Sequence, residues 1–165
     1  MRGDQPFIRW EWIGDNRGQI WDQTVQHLEL TVIAVGIGFL LAMVLSLIGI
    51  RFRRLYPPIT SLAGILYTIP SLALFAFFVP ITGLSTMTAE IGLVSYTLLI
   101  LIRNITAGLD AVPASVREAA RGLGYRQPRL FCEVELPLAV PSIIAGLRIA
   151  TVTVIGLVTV TSIIT

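Results

Sequence analysis

The sequence holds no lysine; all 12 of its basic residues are arginine. That absence excludes a Walker A phosphate loop, whose lysine reaches the β- and γ-phosphates. If ATP drives this protein, a partner polypeptide binds and hydrolyses it, and no cofactor or catalytic residue is expected here. A single histidine, His27, and a single cysteine, Cys132, exclude a multi-His or multi-Cys metal cluster and an intrachain disulfide. Cys132 reads as a small, partly buried apolar filler, with a redox role as the alternative. Charge is scarce too: 13% of the 165 residues are charged, 55% are hydrophobic and the mean hydropathy is +0.81. Soluble domains cover themselves with about a quarter charged residues, whereas a multi-span protein is solvated by lipid. The net charge of +2 and the pI near 9.1 are not a nucleic-acid footprint. The arginines gather at the ends of apolar runs, where membrane orientation needs them.

What is present is a series of apolar runs. Leu28 to Ile50 is long enough to cross a bilayer, which takes about 20 residues. Ile59 to Val79 is a second run, interrupted by Pro70. Glu90 to Ile102 begins a third, to be completed from Thr86–Ala89 or into Asn104–Leu109. Leu138 to Thr165 is a fourth, and the chain stops inside it, so a longer intact protein with a further span is expected. Residues 51–58 carry three arginines and no acid, residues 80–89 carry no charge, and Arg103–Pro137 holds five arginines. This alternation predicts the N-terminus outside, the 51–58 and 103–137 segments in the cytoplasm and the 80–89 loop outside. Residues 1–27 form an extracytoplasmic segment and 28–165 the transmembrane domain. The first span is no signal peptide, since its positive charges follow the apolar run.

In the N-terminal segment, Trp10, Trp12 and Trp21 read as interfacial anchors, with a substrate-binding aromatic cage as the alternative. Trp21, Val25 and Leu28 have helical spacing and predict a short interfacial helix. His27 and Glu29 read as interfacial polar groups or, alternatively, a proton relay.

One polar stretch stands out among the apolar ones: Glu118-Ala119-Ala120-Arg121-Gly122-Leu123-Gly124, followed nine residues after Gly124 by Val134-Glu135-Leu136-Pro137. Asp110 is available as an N-cap and Pro113 suits a first turn, so Ser115–Leu123 is predicted helical. Gly124 fits the left-handed position closing that helix. A second short helix is expected from near Pro128, ending before Pro137. Small Ala119 and Ala120 would let another protein approach, inside a rim of Arg117, Arg121, Arg126 and Arg129.

This pattern resembles the EAA signature of ABC importer permeases, and every position of it matches. The resemblance implies that loop 110–137 is a coupling element docking into a cytoplasmic ATP-binding subunit through Glu118, Ala119, Ala120, Gly124, Val134, Leu136 and Pro137. One departure is the missing Ser or Thr cap at Tyr125-Arg126-Gln127-Pro128, which leaves the cap of the second helix to Gln127 and Pro128. Tyr67-Thr68-Ile69-Pro70-Ser71-Leu72-Ala73-Leu74, Ile102–Leu109 and Ala145-Gly146-Leu147-Arg148 further resemble the glycine betaine/carnitine/choline branch. This implies an all-α type I importer permease fold, similar to the methionine importers, with about four spans here. The implied partners are the ATPase, an extracytoplasmic solute-binding protein, a second permease subunit, identical or paralogous, and the lipid bilayer. Uptake of methionine or another small solute, and a non-transporting membrane scaffold, stand as alternatives.

Three details remain open in the residues alone. Pro70 breaks its span, so Thr68 and Ser71 either face a solute pathway or bond back to their own helix. Arg148, 11 residues or about 16 Å beyond Pro137 on a helix, is a functional suspect or a snorkelling side chain. Ser142, Gly146 and Ala150 form a small-residue stripe, for packing within the bundle or between subunits.

Overall fold

The computed structural model describes residues 9–161, and every regular element among them is helical. The elements are α1 (Trp10–Asp15), α2 (Arg17–Arg51), α3 (Tyr56–Thr68), α4 (Ser71–Thr82), α5 (Thr86–Asp110), α6 (Ala114–Gly122), α7 (Gln127–Leu130), a π turn (Phe131–Glu135) and α8 (Leu136–Thr161). Arg2, Asp4 and the end of the fourth run lie outside the described residues.

Three helical stretches are long and apolar enough to span a membrane, and α3 with α4 makes a fourth if the bent pair is one span. The helix expected over Trp21–Leu28 is present but is not a separate element: α2 runs unbroken for 35 residues, about 52 Å at 1.5 Å per residue. No proline interrupts it. The third span takes both extensions that the sequence left open, from Thr86 to Asp110. The second does more than kink at Pro70. Proline pushes its predecessor out of helical geometry, Ile69 lies at ψ 130°, and α4 leaves α3 at 99°.

Helix α5 is the centre of the bundle, 61% buried across its apolar window against 28% for α2 and for the last span. Lipid is as apolar as leucine, so the helices associate by close packing and not by expulsion of water. Hence the interfaces are made of small residues. Ala34, Gly38, Ala42 and Ser46 are spaced by four on α2 and buried. A Cβ on Gly38 would lie 1.9 Å from the Thr97 hydroxyl of α5. On α8 the stripe Ser142, Gly146 and Ala150 also turns inward. A Cβ on Gly146 would meet the Asn104 Cβ at 2.6 Å, and the Ser142 hydroxyl donates to the Asn104 carbonyl at 2.9 Å. This stripe therefore packs within the bundle. Large apolar side chains such as Val32, Leu40, Leu62, Phe77 and Val152 face outward, as lipid contact requires.

Two apolar clusters result. Leu101, Ile102, Ile105, Leu109, Ala139 and Ile143 fill the end near the 111–135 loop, while Leu30, Phe75, Leu93, Val154 and Val158 fill the other. At that second end His27 Nε2 lies 3.0 Å from the Ile155 carbonyl, so this nitrogen carries the proton and links α2 to α8. The three tryptophans are exposed.

Candidate functional site: the elbow between α5 and α8

After Asp110 the chain leaves the bundle, turns twice and returns as α8. Pro113 occupies the N-cap position of α6, and its carbonyl accepts from the Val116 and Arg117 amides. Asp110, expected as the cap, does something else. It ends α5 and takes a two-point hydrogen bond from Arg53 at 2.5 and 2.9 Å. The carboxylate holds the Arg53 guanidinium above its ordinary pKa, so the 52–55 loop is tied to the end of α5.

Gly124 closes α6 as expected, at φ 85°. The Gly124 amide donates to the Arg121 carbonyl at 2.9 Å and the Tyr125 amide to the Ala120 carbonyl at 3.1 Å. That pair of bonds is a Schellman cap, which satisfies carbonyls the helix end would leave open. Nothing lies within 4 Å of a Cβ built on Gly124, so the requirement for glycine is conformational and not steric.

The second half differs from expectation. The N-cap of α7 is Arg126, with no side-chain bond; α7 is four residues long, but the helical course does not end before Pro137. It widens into the π turn, where the Leu136 amide reaches back five residues to the Phe131 carbonyl, and continues as α8. An α-helix would clash at proline with the carbonyl four residues earlier; a wider turn avoids this without breaking the helix. Beside the absent Ser or Thr cap, Arg129 pairs with Glu133 at 3.0 Å and lies 4.4 Å from the centroid of the Tyr125 ring.

The expected docking residues divide. Glu118 and Ala119 are exposed, but Ala120 is 6% exposed and faces the chain itself. Val134 and Leu136 are half-buried at the root of α8, and Pro137 is exposed. The arginine rim is also smaller than expected, because Arg117 and Arg129 are engaged internally. Arg121 and Arg126 are exposed and form no ion pair among the described residues. Cys132, expected as a partly buried filler, is free and exposed.

The sequence reading overlooked two features. Leu123 at the tip is 79% exposed, an apolar residue set just before the turn glycine. Arg117 and Glu135 form a half-buried ion pair at 2.7 Å. They flank the motif, one beside Glu118 and the other between Val134 and Leu136. The spacing between the two halves of the signature is thus bridged physically.

Thr68, Pro70 and Ser71 lie at the α3–α4 break and not at the elbow. The Thr68 hydroxyl bonds back to the Ile65 carbonyl at 2.9 Å, while Ser71 has no side-chain hydrogen bond among the described residues. The Tyr96 hydroxyl donates to the Ile69 carbonyl at the break, and the Tyr67 and Tyr96 rings meet edge-on at 5.9 Å. Arg148 is exposed on the outer face of α8 beside Ile144, Ala145, Ile149 and Val152.

Known proteins are similar to this chain in sequence. The chain is 35% identical over 155 residues to an osmoprotectant import permease protein of Salmonella typhimurium, covering 91% of this chain and 72% of that one. It is 35% identical over 150 residues to a glycine betaine/carnitine/choline transport system permease protein of Bacillus subtilis, covering 89% and 68%. It is also 40% identical over 126 residues to an ergothioneine transport permease/ergothioneine binding protein of Helicobacter pylori, covering 73% of this chain and 22% of that larger one. Residues 34–165 match the family whose type I importer fold was expected from the elbow signature, and the chain belongs to that family, the binding-protein-dependent transport system inner membrane components.

Proposed function

We propose that this permease subunit imports quaternary-amine osmoprotectants of the glycine betaine, carnitine and choline class, driven by a separate ATP-binding subunit. The observation that carries the coupling role is the elbow: a short, capped and pinned helix presenting Glu118, Ala119 and Leu123 outward. A loose loop would absorb a partner's motion, whereas this one can pass it on. The small Ala119 lets the ATPase surface come close, Leu123 offers an apolar anchor, and Gly124, Val134, Leu136 and Pro137 hold the shape. Ala120 contributes to the inner packing of that knob. ATP belongs to the partner, since this chain has no lysine for a phosphate loop.

The arginine distribution supports an N-terminus outside and the 110–137 elbow in the cytoplasm. The opposite end then receives the extracytoplasmic binding protein, and a second permease subunit completes the pathway within the bilayer. The α3–α4 break is our candidate for the pathway wall. Thr68 uses its hydroxyl internally, so Ser71 beside Pro70 is the hydroxyl left for solute. The names of the osmoprotectant relatives support the substrate class; the Helicobacter pylori relative favours ergothioneine as the second reading.

Uptake into proteoliposomes holding the complete transporter separates these readings. Labelled glycine betaine and choline should accumulate with ATP; accumulation of ergothioneine or methionine alone would reject the osmoprotectant assignment. During purification of the same transporter Ala119→Trp should abolish copurification of the ATPase, and unimpaired assembly would remove Ala119 from the docking surface.

A further inference from the structure

Helix α6 buries only Ala120 among its nine residues, so apolar contact alone does not fix it to the bundle. Arg117 supplies what is missing. Its Nε donates to Glu135 Oε1 at 2.7 Å and its Nη2 to the Leu109 carbonyl at 2.6 Å. The two ion-pair side chains are only 28% and 18% exposed, so water screens them less than a surface pair. Leu109 lies at the C-terminal end of α5, where the helix dipole is negative and where the last turn has no basic residue of its own. Glu135 lies in the π turn at the root of α8. One planar guanidinium, whose N–H groups diverge, thereby joins the elbow helix, the central helix and the last span.

We propose that Arg117 is the strut that carries displacement of α6 into α5 and α8 together, a positioning residue for coupled transport and not a docking residue. The chain changes direction on either side of α6, at the Val112-Pro113 junction and at the Gly124 turn. Without the strut, a push on the exposed face of α6 bends the chain at those points. With it, the push reaches two spans at once. This rests on the importer reading above, but its geometry can be tested separately.

The test uses the intact transporter with its ATPase and binding protein. Arg117→Gln and Glu135→Gln should keep ATPase copurification while solute moved per ATP falls about tenfold. Arg117→Lys keeps the charge but not the fork and should fall between. The exchange pair Arg117→Glu with Glu135→Arg should recover part of what Arg117→Glu alone loses; no recovery would overturn the strut. Amide hydrogen exchange gives a readout that needs no solute. Residues 115–122 should exchange about tenfold faster in Arg117→Gln, with α8 unchanged; equal exchange would overturn the strut whatever the substrate. A wild-type complex that moves no quaternary amine would overturn the substrate reading alone, because the exchange difference stands without it.

Discussion

The bundle interior and the elbow hold their helices by opposite means. Between α2, α5 and α8 the contacts are made by what is missing: side chains at Gly38, Gly108 and Gly146, so that backbones come close. At the elbow the contacts are made by long charged groups in pairs: Arg53 with Asp110, Arg117 with Glu135, Arg129 with Glu133. The difference follows from the solvent. In lipid there is no water to expel, and a charge without a partner is costly. In water an ion pair is weak but directional, and a short helix with one buried residue needs direction more than bulk. The interior is therefore sensitive to volume, and the elbow to charge and salt.

The largest expected effect comes from adding volume to the interior. Gly146→Leu places its first carbon where Asn104 already stands, 2.6 Å from that Cβ. Overpacking of this kind costs about 3 kcal/mol. Thermal unfolding in detergent should show a much lower midpoint, and insensitivity to the change would mean that α5 and α8 can move apart freely.

How much of this contrast could be read in the sequence depended on range. Gly124 was legible because a helix-closing turn is local chemistry, written in neighbouring residues. The inward stripe on α8 was legible from its spacing. The matching stripe on α2 was not noticed, because Ala34, Gly38, Ala42 and Ser46 are embedded in a run already apolar enough to satisfy the membrane reading. Pro137 misled: proline forbids an α-helical turn, but a π turn carries the helix past it. Asp110 and Arg117 misled for a different reason. Both were assigned to the nearest local task, a cap and a rim, while their partners stand 57 and 18 residues away. Long-range pairing of charges leaves no periodic mark in the chain.

Glu90 departs from this division, and the departure can be tested. Glu90 on α5 keeps both carboxylate oxygens buried with no partner among the described residues. An unpaired buried polar group is destabilising. Glu90→Met keeps much of the shape, removes the unpaired carboxyl group and should stabilise the fold by about 1 kcal/mol, seen as a raised unfolding midpoint. A lowered midpoint would mean that the carboxylate is paired in the working transporter, for instance through a second subunit.

The smallest effect belongs to the most exposed pair. Arg53 and Asp110 are 58% and 39% exposed at the side chain, so water and salt take back most of their attraction. Asp110→Asn should therefore cost no more than about 0.5 kcal/mol in global stability. Asp110 directly follows Leu109, whose carbonyl Arg117 uses, so its loss should show locally even where the global cost is small. Hydrogen exchange separates the two. Raising salt from about 0.05 to about 0.5 M shortens the screening length severalfold, and should speed exchange in the 52–55 loop of the wild type toward the rate of Asp110→Asn. Exchange across the Gly38 and Gly146 contacts should not respond to salt. If both regions respond equally, the interior too depends on charge, and the division between packing by small residues and pinning by ion pairs fails.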